Sequence, residues 1–121
     1  MTTYTFYGVL QPILIAGTYT GDTPKVLEDG REGRSLAADY GITLENGDTP
    51  EVGSDHQGTI LYRKISGIIH AWAQKQTTLD TLEQDILDVL KAASLSFEVT
   101  NIAQEINTNN YEKMIAVEVI A

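Results

Sequence analysis

An α+β fold, with a mixed and largely antiparallel β-sheet covered on one face by a main amphipathic helix, is expected from three features of this chain. The first is a long alternating stretch, ILYRKISGIIHAWAQ, from Ile60 to Gln74. The second is TTLDTLEQDILDVLKAAS, whose apolar residues recur every three or four positions. The third is the density of Gly and Pro before residue 57, which breaks the first half into short apolar runs. A strand-and-loop half (1–57) and a strand–helix–strand–strand half (58–121) together make one domain.

In the first half the apolar runs Tyr4 to Leu10, Ile13 to Ala16 and Ile42 to Leu44 lie between Gly17, Gly21, Pro24, Gly30, Gly33, Gly41, Gly47, Pro50 and Gly53. Such punctuation predicts loops, short strands and hairpins. Two near-identical segments fall here, GDTPKV (Gly21–Val26) and GDTPEV (Gly47–Val52). Gly tolerates positive φ, Asp bonds the backbone ahead of it, Thr before Pro is pushed to extended geometry, and Pro presets the following turn. Each copy is expected to reverse the chain and lead into an extended segment. Their flanks do not match, which favours turn chemistry reached twice over a duplication, although both readings stand.

In the long strand, Leu61, Ile65, Gly67, Ile69, Ala71 and Ala73 form an apolar or small row broken only by Arg63. Tyr62, Lys64, Ser66, Ile68, His70 and Trp72 form the opposite, mixed row. One face therefore points to a core. The helix, at about 78–93, presents Leu79, Leu82, Ile86, Val89, Leu90 and Ala93 as its apolar stripe. Thr77 or Thr78 is the expected N-cap, and Asp80 is placed in the first turn, where the helix dipole favours it. LSFEVTNI turns Leu95, Phe97 and Val99 inward; YEKMIAVEVIA does the same with Ile115, Val117 and Val119; the polar QEINTNN links them.

Composition excludes several functions. A 42% hydrophobic and 21% charged chain is not of the disordered kind. With no cysteine there is no disulfide, thiolate metal site or cysteine nucleophile. The N-terminal stretch has no basic region before its apolar letters and makes a poor signal peptide, and no run reaches the ~20 apolar residues of a membrane span. A soluble protein with no membrane partner is expected. Eight Lys and Arg against seventeen Asp and Glu give a net charge of −9. That balance cannot furnish a nucleic-acid groove, and the nearest basic cluster, Arg31, Arg34, Arg63 and Lys64, is interrupted by Glu28, Asp29 and Glu32.

No constellation for catalysis or cofactors stands out. His70 has no second His nearby, and acid–base work needs an orienting partner, so packing or an interface is the plainer reading. Ser54, Asp55 and His56 are adjacent, and adjacent side chains do not converge as a triad. Asp48, Glu51, Asp55 and His56 match neither the calcium loop nor HExxH. EDGREG carries no phosphate-loop pattern. The acidic helix face of Asp80, Glu83, Asp85 and Asp88 reads as a solvated face. Tyr4, Phe6 and Tyr7 fit either packing on the sheet or an intersubunit arm. No catalytic residue, metal or cofactor is expected; function is expected from shape and association.

The succession of IIHAW, TTLDTLEQDIL and IAVEVIA, over residues 58–121, resembles the tail terminator (tail-completion) proteins of long-tailed bacteriophages, the lambda type. In that family such a strand leads through a Leu-Asp link into a helix, and the chain closes in a sheet-pairing strand. The likeness departs at the start: family members commonly begin with an amphipathic helix, whereas MTTYTFYGVLQPILIAGTYTGDTP, with its Pro and Gly, suggests strands and an extended arm.

The resemblance implies a non-enzymatic virion protein that forms a hexameric ring on the end of the tail tube. It would stop tube polymerisation and present a surface to the head–tail connector, so its partners would be copies of itself, the tube protein and the connector. Assembly would take place in the host cytoplasm. Sheet edges and the face carrying Tyr62, Ile68, His70 and Trp72 are the candidate subunit contacts, because aromatic residues enrich interface cores. Asp48, Glu51 and Asp55 are candidate lumen-facing acids, past which DNA would slide without specific binding. Two other readings remain: a head–tail connector subunit, and a small ligand-binding or enzymatic α/β domain with a pocket around His70.

Overall fold

The computed structural model describes residues 5–28, 40–47, 51–54, 60–93, 96–106 and 111–120. The elements run α1 (Phe6–Ala16), β1 (Val26–Glu28), β2 (Tyr40–Asn46), β3 (Glu51–Ser54), β4 (Ile60–Ala73), α2 (Gln76–Ala92), β5 (Ser96–Ile106) and β6 (Tyr111–Ile120). The strands form a six-stranded sheet in the order β1-β2-β4-β6-β5, with β3 also on β4. Among the described residues only the β1–β2 pairing is parallel. The α+β class and the mixed, mainly antiparallel sheet are as expected from sequence.

The N-terminal half differs from expectation. Tyr4 to Leu10 and Ile13 to Ala16 are not two strands: residues 6–16 are the helix α1. Phe6, Leu10 and Leu14 repeat at every fourth position and are buried at 2%, 1% and 0% exposure. Burying three such side chains is worth about 1.5–3 kcal/mol each, against about 3 kcal/mol for an interior Pro and about 1 kcal/mol for Gly. Burial wins. Gly8 and Pro12 are both on the exposed side, so the Gly8 carbonyl that Pro12 cannot bond faces water. Thr5 caps the helix by accepting from the Gly8 N–H, and Asn46 at the end of β2 accepts from the Tyr7 N–H at 3.0 Å.

Both helices cover one face of the sheet. Their buried residues join Ile42 and Leu44 of β2, Ile65, Ile69, Ala71 and Ala73 of β4, and Ile115, Val117 and Val119 of β6 in one hydrophobic cluster. The alternation assigned to β4 and β6 is thus the alternation observed. Phe6 seats on the backbone of Gly67, where a Cβ would lie 2.4 Å from two of its ring carbons. Phe97 and Val99 of β5 pack on the margin of the core.

Helix α2 starts earlier than expected. Lys75 is its N-cap and makes no side-chain capping bond. Thr77 lies inside the helix, and its carbonyl accepts from the Thr81 hydroxyl. Asp80 falls beyond the first turn and accepts instead from Gln76 and from Lys113 of β6. The expected polar link after β5 is shorter too, since β5 runs on through Gln104 to Ile106, aided by a register shift between Val99 and Asn101.

The first GDTP copy bends the chain at Thr20–Asp22 and leads into β1. Asp48, Thr49 and Pro50 of the second lie outside the described residues; on either side of them Asn46 sits opposite Gly67 and Glu51 opposite Lys64, both antiparallel to β4. Among the described residues no helix is long and apolar enough to cross a membrane.

Candidate functional site

The sheet face away from the helices gathers a polar cluster across three neighbouring strands. In the pairing register, Thr43 of β2 and Met114 of β6 stand directly opposite His70 of β4. Glu45 and Glu112 are each two residues further along, on the same face, in opposite directions. His70 Nδ1 lies 2.8 Å from Glu112 Oε1, and Nε2 lies 3.7 Å from Glu45 Oε1. The His70 side chain is 12% exposed and that of Glu112 4%, whereas Glu45 is 40% exposed. An imidazole set between two carboxylates on separate strands ties β2, β4 and β6 together. The short contact fixes the ring's orientation, since a carboxylate facing one ring nitrogen favours a proton there.

Sequence reading dismissed acid–base work by His70 for want of an orienting partner; Glu112 is such a partner, 42 residues away. The pair becomes visible only once β4 and β6 are aligned. The three side chains do not converge as metal ligands do, and no group of metal-ligating residues occurs among the described residues.

Of the four candidate contact residues, Ile68 and His70 share this face as expected. Trp72 does not offer a surface: it is 2% exposed, with its indole over Gly41, where a Cβ would approach Cζ2 to 2.6 Å. Its Nε1 has no hydrogen-bond partner among the described residues. Tyr62 occupies β4 opposite Gly53. The candidate acidic loop falls mostly outside the described residues, which omit Asp48 and Asp55; Glu51 takes a register position in β3 opposite Lys64. Beside the cluster, a groove of about 260 Å³ runs over Glu45, Ile68, Ala116 and Glu118.

A second concavity, of about 300 Å³, lies on the other side of the molecule between α2 and the segment after α1. Tyr19, Thr20, Gly21, Asp22 and Tyr40 form one wall, and Thr77, Thr78, Thr81, Leu82 and Asp85 the other. Asp85 fixes the first wall by accepting from the Thr20 N–H and hydroxyl, each at 3.0 Å. Tyr19 donates to the Leu14 carbonyl at 2.6 Å and Tyr40 to that of Asp22 at 2.5 Å. Burial, followed by the negative charge of Asp85, pushes the Tyr19 phenol up to about 12. Sequence reading missed this cleft. Its one available signal was the first GDTP segment, which supplies part of the rim.

The chain matches no family model, and no curated protein matches it at a significant level.

Proposed function

We propose that this chain is a structural subunit of a phage tail end, a terminator that assembles into a ring on the last turn of the tube and offers the connector a docking surface. The observation that carries the reading is α1. The resemblance in residues 58–121 called for an N-terminal helix, and Phe6–Ala16 supplies one that lays Phe6, Leu10 and Leu14 on the sheet, although its outer side, with Ile15 exposed, is apolar too. The edge strand β5 supports it as well: eleven residues long, without Lys or Pro and with Ile102 at 42% exposure, it offers an edge for pairing with another chain, interrupted by the register shift between Val99 and Asn101. Ile68 and His70 are the face-side candidates for subunit contact, and Asp48, Glu51 and Asp55 the candidates for the lumen.

Electron microscopy of particles made without this protein tests the proposal. Overlong tails support a terminator; filled heads lacking tails support the connector reading; tails of normal length joined to heads refute both. In a complementation assay, Ile68→Arg should keep the monomer folded and fail to restore tail length. The His70–Glu112 contact favours a further reading, a small ligand-binding or enzymatic domain. Turnover by an unassembled preparation, lost on His70→Ala, would establish that reading and remove the structural one.

A further inference from the structure

Asn46 and Gly47 lie where β2 ends, and the fold restricts both positions. Asn46 Oδ1 accepts from the Tyr7 N–H at 3.0 Å, and Nδ2 donates to Glu28 Oε2 at 3.1 Å. An N–H on one side and a carboxylate on the other call for an acceptor and a donor on one short side chain, which an amide supplies and a carboxylate does not. The Asn46 amide thereby joins α1, β1 and β2. At Gly47 a Cβ would lie 2.5 Å from the Ser66 carbonyl oxygen and 2.9 Å from Ser66 Oγ, so a side chain is excluded. Packing has thus set an Asn before the one residue with no side chain to shield its own backbone nitrogen. Asn101, Asn107, Asn109 and Asn110 precede Ile, Thr, Asn and Tyr instead.

We infer that Asn46–Gly47 is a modification site, a deamidation site gated by α1: it is silent while Tyr7 and Glu28 hold the amide, and the chain modifies itself there when α1 leaves the sheet. The Gly47 nitrogen, its proton taken by hydroxide, attacks Asn46 Cγ and forms the new C–N bond. The Cγ–Nδ2 bond breaks, and Nδ2 takes a proton from water and leaves as ammonia, which regenerates hydroxide. Water then opens the succinimide to aspartate or isoaspartate at position 46, so water is the only reagent consumed. Three features of the fold oppose the first step. The Gly47 N–H is bonded to the Ser66 carbonyl at 2.9 Å, both ends of the Asn46 amide are held, and Asn46 is extended in register with Gly67. Both residues are exposed, so conformation and not access to water is limiting. The products are not equivalent to the amide. Aspartate keeps the bond from Tyr7 but sets a carboxylate against that of Glu28, which frees the end of β1; isoaspartate adds a methylene to the main chain and displaces both contacts.

Incubation of the full chain at mildly alkaline pH, followed by peptide mapping and enzymatic methyl labelling of isoaspartate, is the test. In guanidinium chloride, position 46 should react before Asn101, Asn107, Asn109 and Asn110. Under folding conditions its rate should be at least about ten-fold lower than in denaturant. Phe6→Leu, which loosens α1, should raise the folded rate several-fold. Val99→Ala, at the margin of the core on β5 and brought to the same stability with denaturant, should raise it less. Asn46→Asp should speed amide exchange at Val26–Glu28, and Glu28→Gln in that background should reverse the effect. Equal rates in the folded and unfolded chain, or equal acceleration by Phe6→Leu and Val99→Ala as global unfolding would give, would overturn the gating. Exchange at Val26–Glu28 unchanged by Asn46→Asp would overturn the release of β1.

Discussion

Adding one methyl group at Gly67 tests how α1 is docked. A Cβ there would sit 2.4 Å from Cγ and Cδ2 of Phe6 and 2.6 Å from the Glu45 carbonyl oxygen, well inside ordinary contact. The β2 backbone cannot retreat without loosening its pairing with β4, so the ring must move by about 1 Å. It is not free to do so, because Thr5 caps the same turn and the Tyr7 N–H is bound to Asn46. Overpacking of this kind costs about 1–3 kcal/mol. Full expulsion of Phe6, now 2% exposed, sets a ceiling of about 3 kcal/mol. Restricting the unfolded chain returns up to about 1 kcal/mol. Gly67→Ala should therefore lower stability by about 2 kcal/mol and the melting temperature by roughly 8 °C for a chain of this size. Urea unfolding of Gly67→Ala, Phe6→Leu and the double variant measures the coupling. With the shorter Leu, Gly67→Ala should cost about 1 kcal/mol less than in the native chain. Additivity within about 0.5 kcal/mol would refute the argument, since distant or uncoupled sites behave that way.

Three other outcomes are expected. His70→Phe leaves the buried Glu112 carboxylate without its 2.8 Å contact to Nδ1 and should cost about 1–3 kcal/mol in urea unfolding, while Glu45→Gln, at an exposed 3.7 Å contact, should cost under about 0.5 kcal/mol. Equal costs would mean that the histidine does not clamp the strands through Glu112. Hydrogen bonds from Gln76 and then Lys113 hold Asp80 below its ordinary 3.8, so its contribution is present above that value and lost as pH falls through the lowered one. Burial opposes the Lys113 ammonium, but its hydrogen bonds to Glu83 and Asp80 outweigh burial and raise its pKa above 10.5, so its contribution is present below 10.5 and lost as pH rises through the raised value. Stability of Lys113→Met, measured against pH by chemical denaturation, should be flatter at both ends, and an unchanged alkaline limb would contradict the contact. In ultraviolet titration one of the six tyrosines should ionise near pH 12, and Tyr19→Phe should remove that step. Because its folded pKa is the raised one, the stability tied to Tyr19 is complete below 10 and declines as pH climbs from 10 towards 12.

What could be read from sequence was whatever burial makes periodic. Ile65, Ile69, Ala71 and Ala73, and likewise Ile115, Val117 and Val119, alternate because one side of each strand meets the helices. Leu79, Leu82, Ile86, Val89 and Leu90 follow the helical period for the same reason. The start of the chain misled because Gly8 and Pro12 are strong local signals, whereas the decisive fact, the burial of Phe6, Leu10 and Leu14, belongs to the tertiary structure. Trp72 misled in the opposite direction: its alternation with His70 and Ile68 is real, but Gly41 on the neighbouring strand makes room for an indole to lie within the protein. Thr77 and Thr78 looked like caps because their hydroxyls suit that position, yet the helix begins before them. The cleft was illegible because it depends on which hydroxyl hydrogens are already engaged, and that is set by contacts up to 65 residues apart, such as Thr20 with Asp85.

The acidic residues of α2 show why a net charge alone says little about mechanism. In sequence, Asp80, Glu83, Asp85 and Asp88 form one solvated face. In the fold Asp80 and Glu83 hold Lys113 at 3.1 and 2.7 Å, Asp85 holds Thr20, and Asp88 accepts from Gln84. Two of the four, Asp80 and Glu83, are thus balanced by Lys113, while Asp85 and Asp88 accept from neutral donors among the described residues. Under the tail-end proposal, Ile68→Arg should abolish restoration of tail length, while Asp85→Asn, on the helix side of the sheet, should leave it intact; loss of restoration in both variants would argue against subunit contact through the Ile68 face.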